Sequence, residues 1–438
     1  MMNKLKTFLF ILVFWGNNLS LASADILSEL IENTQQETKT YLYNFSDPTS
    51  DSSIDSRRSH ALTTLETSSG VKLGDQSYFN IDLLFYLHSM EDNHDDTLHS
   101  FERNNQYAAV FAPKILNIVY EADDFDFTMG LDLVDFGYAE LHNSVSNFGR
   151  TNALHPTHNY DLGVLLGRYR RYFGDDILGY TMMPIEIVSL VPTKSNRWRG
   201  SGDVYESLPD GSSVSSLEAE PLAIHTNNIR HLVNYEAVRS GYDYYLFGAL
   251  GPSPFSVIRI KDSLYENYQP WSWQVGGGIN TIYGPHKIYS DIMYQFTAHQ
   301  NDENFIRGTF GGVFKNSTWT KKLGINQITL TTEYARDEKT RDQSTRSDLI
   351  YSSKNSRSGL NTIFARVELD IDDTWKVISG VNYNLEDSDN SKVLGLRYKV
   401  NDSLEFFSAG TWFDGVDSTL FGVQRDNDTI EFGIKKSL

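Results

Sequence analysis

Residues 79–87 read FNIDLLFYL. Phe79, Ile81, Leu83, Phe85 and Leu87 alternate with Asn80, Asp82 and Tyr86, and Leu84 alone breaks the alternation. A period of two places one set on each face of an extended strand, which a helical period of 3.6 cannot do. The same alternation returns in 125–133 (FDFTMGLDL), where Phe125, Phe127, Met129, Leu131 and Leu133 oppose Asp126, Thr128, Gly130 and Asp132. In 288–298 it sets Ile288, Ile292, Tyr294 and Phe296 against Tyr289, Asp291, Met293, Gln295 and Thr297. In 361–371 it sets Ile363, Ala365, Val367, Leu369 and Ile371 against Thr362, Phe364, Arg366, Glu368 and Asp370.

These runs are long. Globular strands usually hold about 5–6 residues, whereas a tilted crossing of a bilayer takes about 9–11. One face of each run is apolar and the other carries Asp, Glu, Arg, Thr and Gln, as when a strand separates lipid from a wet lumen. Tyr and Trp recur near run ends, at Tyr120, Trp271, Trp273, Tyr283 and Tyr398, where interfacial girdles sit. Segments of this character lie at 78–87, 106–120, 124–136, 160–172, 176–188, 229–239, 241–250, 271–283, 286–298, 305–315, 325–335, 360–371, 373–385, 392–400, 403–413, 418–424 and 428–436. Some are joined by tight-turn chemistry such as Asp372-Asp373 and Asn401-Asp402, others by long polar stretches at 88–104, 137–158, 189–228 and 336–359. Short turns on one side and long loops on the other predict an all-β fold: a transmembrane antiparallel up-and-down β-barrel of about 16 strands, within a range of about 14–18. A β-propeller would need a repeat of about 40–50 residues, and none is visible. A periplasmic sandwich or β-helix is the soluble alternative.

Composition narrows the function. The 438 residues contain no cysteine, which excludes a disulfide framework, a Cys-ligated metal and a cysteine nucleophile. With 57 acidic and 38 basic residues the formal charge is −19, the wrong sign for nucleic-acid binding. Aromatic residues make up 13%, too many for a disordered acidic chain.

Three segments follow. Lys4 and Lys6, the apolar run Thr7 to Trp15 and the small residues Ala22-Ser23-Ala24 have the pattern of a secretory signal peptide over 1–24. No later apolar run reaches the about 20 residues of a spanning helix. Residues 25–77 read as a periplasmic N-terminal extension or plug: Ile26, Leu27, Leu30 and Ile31 share a helical face, and 44–77 is rich in Ser, Thr and Asp. Residues 78–438 are assigned to the barrel.

Candidate lumen residues follow from charge. Residues 168–172 read RYRRY, with Arg168 and Arg170 on one parity. A cation facing lipid at the bilayer midplane costs about 2–4 kcal/mol, so these arginines are expected in the lumen or at a strand end. Opposed to Asp82, Asp126, Asp132 and Glu186 they would create a transverse field that selects solutes by charge. Arg366 and Glu368 are further pore-lining candidates. The alternative is that such charges pair across strands and stiffen a filled lumen. The longest connection, 189–228, with Lys194, Arg197, Trp198 and Arg199, is a candidate constriction loop or an exposed extracellular one.

Several resemblances bear on this. The final run TIEFGIKKSL, with Ile430, Phe432, Ile434 and Leu438 on one parity, resembles the C-terminal strand by which Gram-negative outer-membrane proteins are recognised for insertion; the usual form ends in Phe or Trp. The stretch 129–156 resembles the segment of porin-like families in which a strand runs into a loop folded into the channel. His142 with Ser144 and the following Ser-Asn-Phe-Gly-Arg resembles the His-x-Ser-Asn-Gly-Arg motif of outer-membrane phospholipase A, which implies a histidine base and a serine nucleophile; Val145, Ser146 and Phe148 interrupt the pattern. His88, His94 and His99 with Asp92, Asp95 and Asp96 fit no standard metal-site spacing.

The expectation is therefore a porin-like channel in the outer membrane of a Gram-negative bacterium, passing small polar or anionic solutes passively, without a cofactor or a metal. Its partners would be outer-membrane lipid and lipopolysaccharide, the outer-membrane assembly machinery and, in some cases, further copies of itself as a homo-oligomer. The competing readings are a non-channel barrel with a filled lumen, serving adhesion, assembly or structure, and a phospholipase-like hydrolase.

Overall fold

The computed structural model describes residues 28–46, 57–89, 108–152, 155, 157–184, 196–199, 228–261, 264–357, 359, 361–416 and 419–438. The signal-peptide and cleavage-site reading of 1–24 lies outside the described residues.

Eighteen strands form one sheet. They are β1 (Gln35–Phe45), β2 (Ser59–Gly74), β3 (Ser77–His88), β4 (Ala108–Glu121), β5 (Phe125–Asp132), β6 (Val164–Phe173), β7 (Asp176–Met183), β8 (Arg230–Arg239) and β9 (Tyr242–Pro252). They continue as β10 (Trp271–Tyr283), β11 (His286–Thr297), β12 (Asn304–Asn316), β13 (Gln327–Arg341), β14 (Asn361–Asp370), β15 (Trp375–Asn384), β16 (Asn390–Asn401), β17 (Leu404–Asp414) and β18 (Thr429–Ser437). Each pairs antiparallel with its sequence neighbours, and β18 returns to β1 with Phe432 opposite Leu42, so the sheet closes and has no edge. The strand number is 18, at the top of the expected range.

The alternation sorts the side chains. Phe85, Leu87, Phe127, Met129, Ile288, Ile292, Phe296 and Ile363 are exposed on the outer face. Their opposite-parity neighbours Leu84, Tyr86, Asp126, Thr128, Tyr289, Asp291, Met293, Gln295 and Thr362 are buried in the lumen. Leu84, the misfit of the first run, is thus a lumen residue packed with Tyr86. The tight turns behave as their residues predict: Asp372 Oδ1 accepts the N–H groups of Thr374 and Trp375 at 2.7 Å, and Asn401 Oδ1 accepts that of Ser403 at 2.9 Å.

Three expectations are corrected. Residues 25–77 are not an extension ahead of the barrel, because β1 and β2 are wall strands paired over Gln35↔Ser68 to Asn44↔Ser59. Their amphipathic signal is inverted: β1 buries Tyr41, Tyr43 and Phe45 in the lumen and turns Gln36, Thr38, Thr40 and Asn44 outward. Residues 28–33 alone form a short helical turn, tied to β2 where Ser69 Oγ donates to Leu30 O at 2.6 Å. The segment 418–424 is no strand: its described part enters a 3₁₀ helix, Gly422–Asn427, in the β17–β18 connection. The segment 160–172 is broken at Gly163, where a Cβ would lie 2.4 Å from Lys114 O, and Tyr160–Leu162 leaves the wall to pair with Arg150–Asn152 inside.

Candidate functional site

The β5–β6 connection, residues 133–163, folds into the lumen instead of leaving it. Its tip crosses to the far wall and is held there by carboxylates that accept backbone N–H groups. Asp291 Oδ2, on β11, accepts those of Tyr138 and Ala139 at 2.9 and 2.8 Å. Glu333, on β13, accepts those of Glu140, Leu141 and His142 at 2.6, 3.0 and 2.7 Å. Tyr245 and Tyr289 donate their hydroxyls to Asp291 and Glu333 at 2.8 and 2.5 Å. Both carboxylates are buried and carry several charge-assisted hydrogen bonds, the strong class.

Apolar packing completes the anchor. Phe136 lies 4.7 Å from Phe247 and 5.6 Å from Phe148, and Tyr138 lies 5.3 Å from Tyr245, ring centre to ring centre. Room for these rings comes from Gly276 and Gly278 on β10. A Cβ at Gly278 would sit 2.2 Å from Asp291 Oδ1, and one at Gly276 would sit 2.5 Å from the Phe247 ring. The expectation that 129–156 enters the channel is met, with its anchors on strands the sequence gives no reason to connect.

Beside the loop the lumen keeps a cavity of about 800 Å³, bounded by β14 to β18 and β1. Lys39, Arg366, Lys392, Arg397 and Lys435 line it, against Glu405 and Glu431. Tyr41, Tyr160, Phe407 and Phe413 give it an aromatic side. Lys39 and Lys435 share Glu37 at 2.6 and 2.5 Å, and Arg366 meets Glu368 at 2.9 Å. Arg397 meets Glu405 only at 4.0 Å, whereas Lys392 has the outward parity of Leu394 and Leu396, opposite Trp412.

The other expected lumen charges are on the wall, but not opposed across it. Arg168 meets Asp132 at 3.1 Å and donates to Leu133 O at 2.7 Å. Arg170 meets Asp126 at 2.7 Å, where Tyr172 also donates. Asp82 lies 3.5 Å from Lys114, which also meets Glu66. Glu368 is shared by Arg366 and Lys376. Each joins the same or adjacent strands, except Lys114–Glu66, which reaches over β3, so the transverse field expected of Arg168 and Arg170 is neutralised at its source. Glu186 lies outside the described residues, as do His94, His99, Asp92, Asp95 and Asp96. The sequence missed Asp291, Glu333 and Arg397 as site residues. Asp291 and Glu333 have lumen parity, and that was the available signal.

Of the long connection 189–228, residues 196–199 and 228 are described. Arg197 and Trp198 are buried, and Arg197 donates to Asn427 Oδ1 at 3.0 Å and Asp426 O at 2.7 Å. The hydrolase geometry is not assembled. Ser144 Oγ is 2.6 Å from Thr309 Oγ1, while the His142 ring stacks on Phe364 at 4.9 Å. Burial and the nearby Arg307 guanidinium push the His142 imidazole down to about 3, which leaves it neutral and a poor base.

No protein-family model matches the chain, and no curated protein matches it. Among solved structures it is similar to OccAB1 of Acinetobacter baumannii, with 7% identity, TM-score 0.49 and coverage of 93% of this chain and 95% of that one. OccD3 (OpdP) of Pseudomonas aeruginosa gives 11%, 0.48, 93% and 90%, and OccK8 (OprE) of the same organism gives 12%, 0.46, 92% and 96%. Likenesses this distant stand beside the strand ladder and do not replace it as the ground for the fold. By that ladder, the chain is an all-β closed antiparallel barrel of 18 strands with the β5–β6 connection folded into its lumen.

Proposed function

We propose that this chain is an outer-membrane channel through which small polar solutes, chiefly anions, diffuse passively. One observation carries the proposal: a cavity of about 800 Å³ remains beside the infolded loop, and the cations of lumen parity that line it, Lys39, Arg366, Arg397 and Lys435, outnumber its two lining carboxylates, Glu405 and Glu431. An excess of cations on a wet path raises the local concentration of anions and disfavours cations. Arg397, half-exposed and 4.0 Å from Glu405, is the lumen cation most able to exchange water for a passing anion. The exposed apolar outer face supports a position in lipid, and the secretory pattern of 1–24 supports the outer membrane of a Gram-negative cell.

A second reading, a filled barrel without transport, is favoured by a different observation. Arg168, Arg170, Lys114 and Lys376 all pair with wall carboxylates, and the loop packs an apolar cluster against β8 to β12. Planar-bilayer recording separates the two. A channel gives stepwise current with anion preference, whereas a filled barrel gives none.

A further inference from the structure

Four histidines meet where the infolded loop rests on β1 to β3. His155 packs against Tyr43 at 4.4 Å, Trp198 at 4.5 Å and His158 at 5.2 Å. His158 packs on Tyr41 at 3.9 Å and bonds Glu431 through Nε2 at 3.0 Å. His60, on β2, meets Phe45 edge-on at 5.7 Å, and His88, on β3, meets Tyr86 edge-on at 5.5 Å. His60, His88 and His155 are at most 4% exposed. His155 is paired through Nδ1 to Thr157 at 3.0 Å, and its Nε2 has no partner among the described residues.

We infer that this cluster is an acid-sensitive seat: protonation of His155 loosens His155 and residues 157–162 from β1 and alters the path through the lumen. The groups facing His155 are mostly neutral or cationic. β1 presents Tyr41 and Tyr43, β2 presents His60, and β3 presents Tyr86 and His88. The segment 196–199 presents Arg197, whose guanidinium lies 4.0 Å over Phe45, and the loop itself adds His158 and Tyr160. β18 presents the carboxylate of Glu431, already engaged with His158. A proton arriving at Nε2 of His155 therefore finds aromatic faces and other histidines instead of a carboxylate. Burial first, then His158, His88 and His60, hold the His155 imidazole well below the usual histidine range.

The sign follows from linkage. The unseated histidine takes up a proton near its ordinary value of about 6.5, whereas the seated one resists it. The seat is complete above about 6.5 and weakens as pH falls below it, by up to about tenfold in the seating equilibrium per pH unit as the unseated His155 takes up its proton. The channel's acid response rests on the transport reading, so the test has two arms. In a planar bilayer, conductance of the full chain is recorded from about pH 8 to about pH 5, alongside H155F and H158Q. In detergent, the fluorescence of Trp198, taken as the difference between the chain and W198F, is titrated over the same range. The expected result is an acid transition in both arms that H155F abolishes and H158Q shifts. A constant current and a flat Trp198 signal would overturn the seat. A Trp198 transition without any current would uphold it while contradicting transport. A transition unchanged in H155F and H158Q would assign it to other groups and overturn the inference.

Discussion

Glu333 Oε2 accepts the backbone N–H of His142 at 2.7 Å, across a lumen from the wall that residue 142's loop leaves. The loop departs between β5 and β6 and is caught on β13, seven strands further round. With the bonds from Glu140 and Leu141, one side chain fixes three consecutive residues of the loop tip. The position of the tip depends on a carboxylate holding main chain as well as on the packing of Phe136 and Tyr138.

Glu333→Ala should release the tip. Three stranded N–H groups at about 1–3 kcal/mol each, partly rescued by lumen water, predict a loss of about 2–4 kcal/mol. Thermal unfolding in detergent measures the loss, and single-channel recording should show a larger, noisier current. Asp291→Ala should act in the same direction with two N–H groups freed.

Gly278→Ala tests the seat beneath that anchor. The added methyl meets Asp291 Oδ1 and the Tyr245 ring, which are themselves 2.8 Å apart in a hydrogen bond. A cost of about 1–3 kcal/mol is expected in unfolding experiments. Gly167→Ala, with nothing within 4 Å of the new Cβ, should be near neutral and serves as the control.

Charge reversal discriminates the cavity from the wall. Arg397→Glu should move the reversal potential toward cations with little effect on stability. Arg168→Glu should do the opposite: it breaks a half-buried pair with Asp132 and faces two carboxylates, costing about 2–4 kcal/mol in unfolding, with a smaller selectivity change.

Asp302, in the β11–β12 connection, gives a pH-dependent stability term. Burial pushes its carboxyl up to about 6, although it accepts N–H bonds from Ser353 and Glu303 at 2.9 and 2.8 Å. The folded chain holds this proton more tightly than the unfolded chain, so the stability the group contributes is present in acid and lost as pH rises through about 6. Asp302→Asn should raise the unfolding midpoint at about pH 8, by up to about 3 kcal/mol in stability, and leave it unchanged at about pH 4. Denaturation at both pH values measures it.

Ser144→Ala should leave phospholipid hydrolysis where it stands in the unmodified chain, at background. The Ser144 hydroxyl is 1% exposed as part of its residue and committed to Thr309, so the substitution is felt in loop stability alone. A colorimetric phospholipid assay checks both proteins.

Most wall strands were legible because lipid and water impose opposite demands at alternate residues: Phe127 and Met129 against Asp126 and Thr128 is such a case. β1 was illegible for the same reason inverted, since Tyr41 and Phe45 face a packed lumen and Thr38 and Thr40 face out. The local pairs Arg168–Asp132 and Arg170–Asp126 follow from register, which parity alone does not supply. The anchors Asp291 and Glu333 act at separations of 153 and 191 residues on backbone groups, which carry no sequence signature at all.

The most direct test of transport is a planar-bilayer recording of the purified, refolded chain, with the reversal potential read under a salt gradient. Stepwise openings with a reversal potential on the anion side, moved toward cations by Arg397→Glu, are expected. Flat traces from a correctly folded barrel across salts and voltages would contradict the channel and leave the filled barrel as the function of this fold.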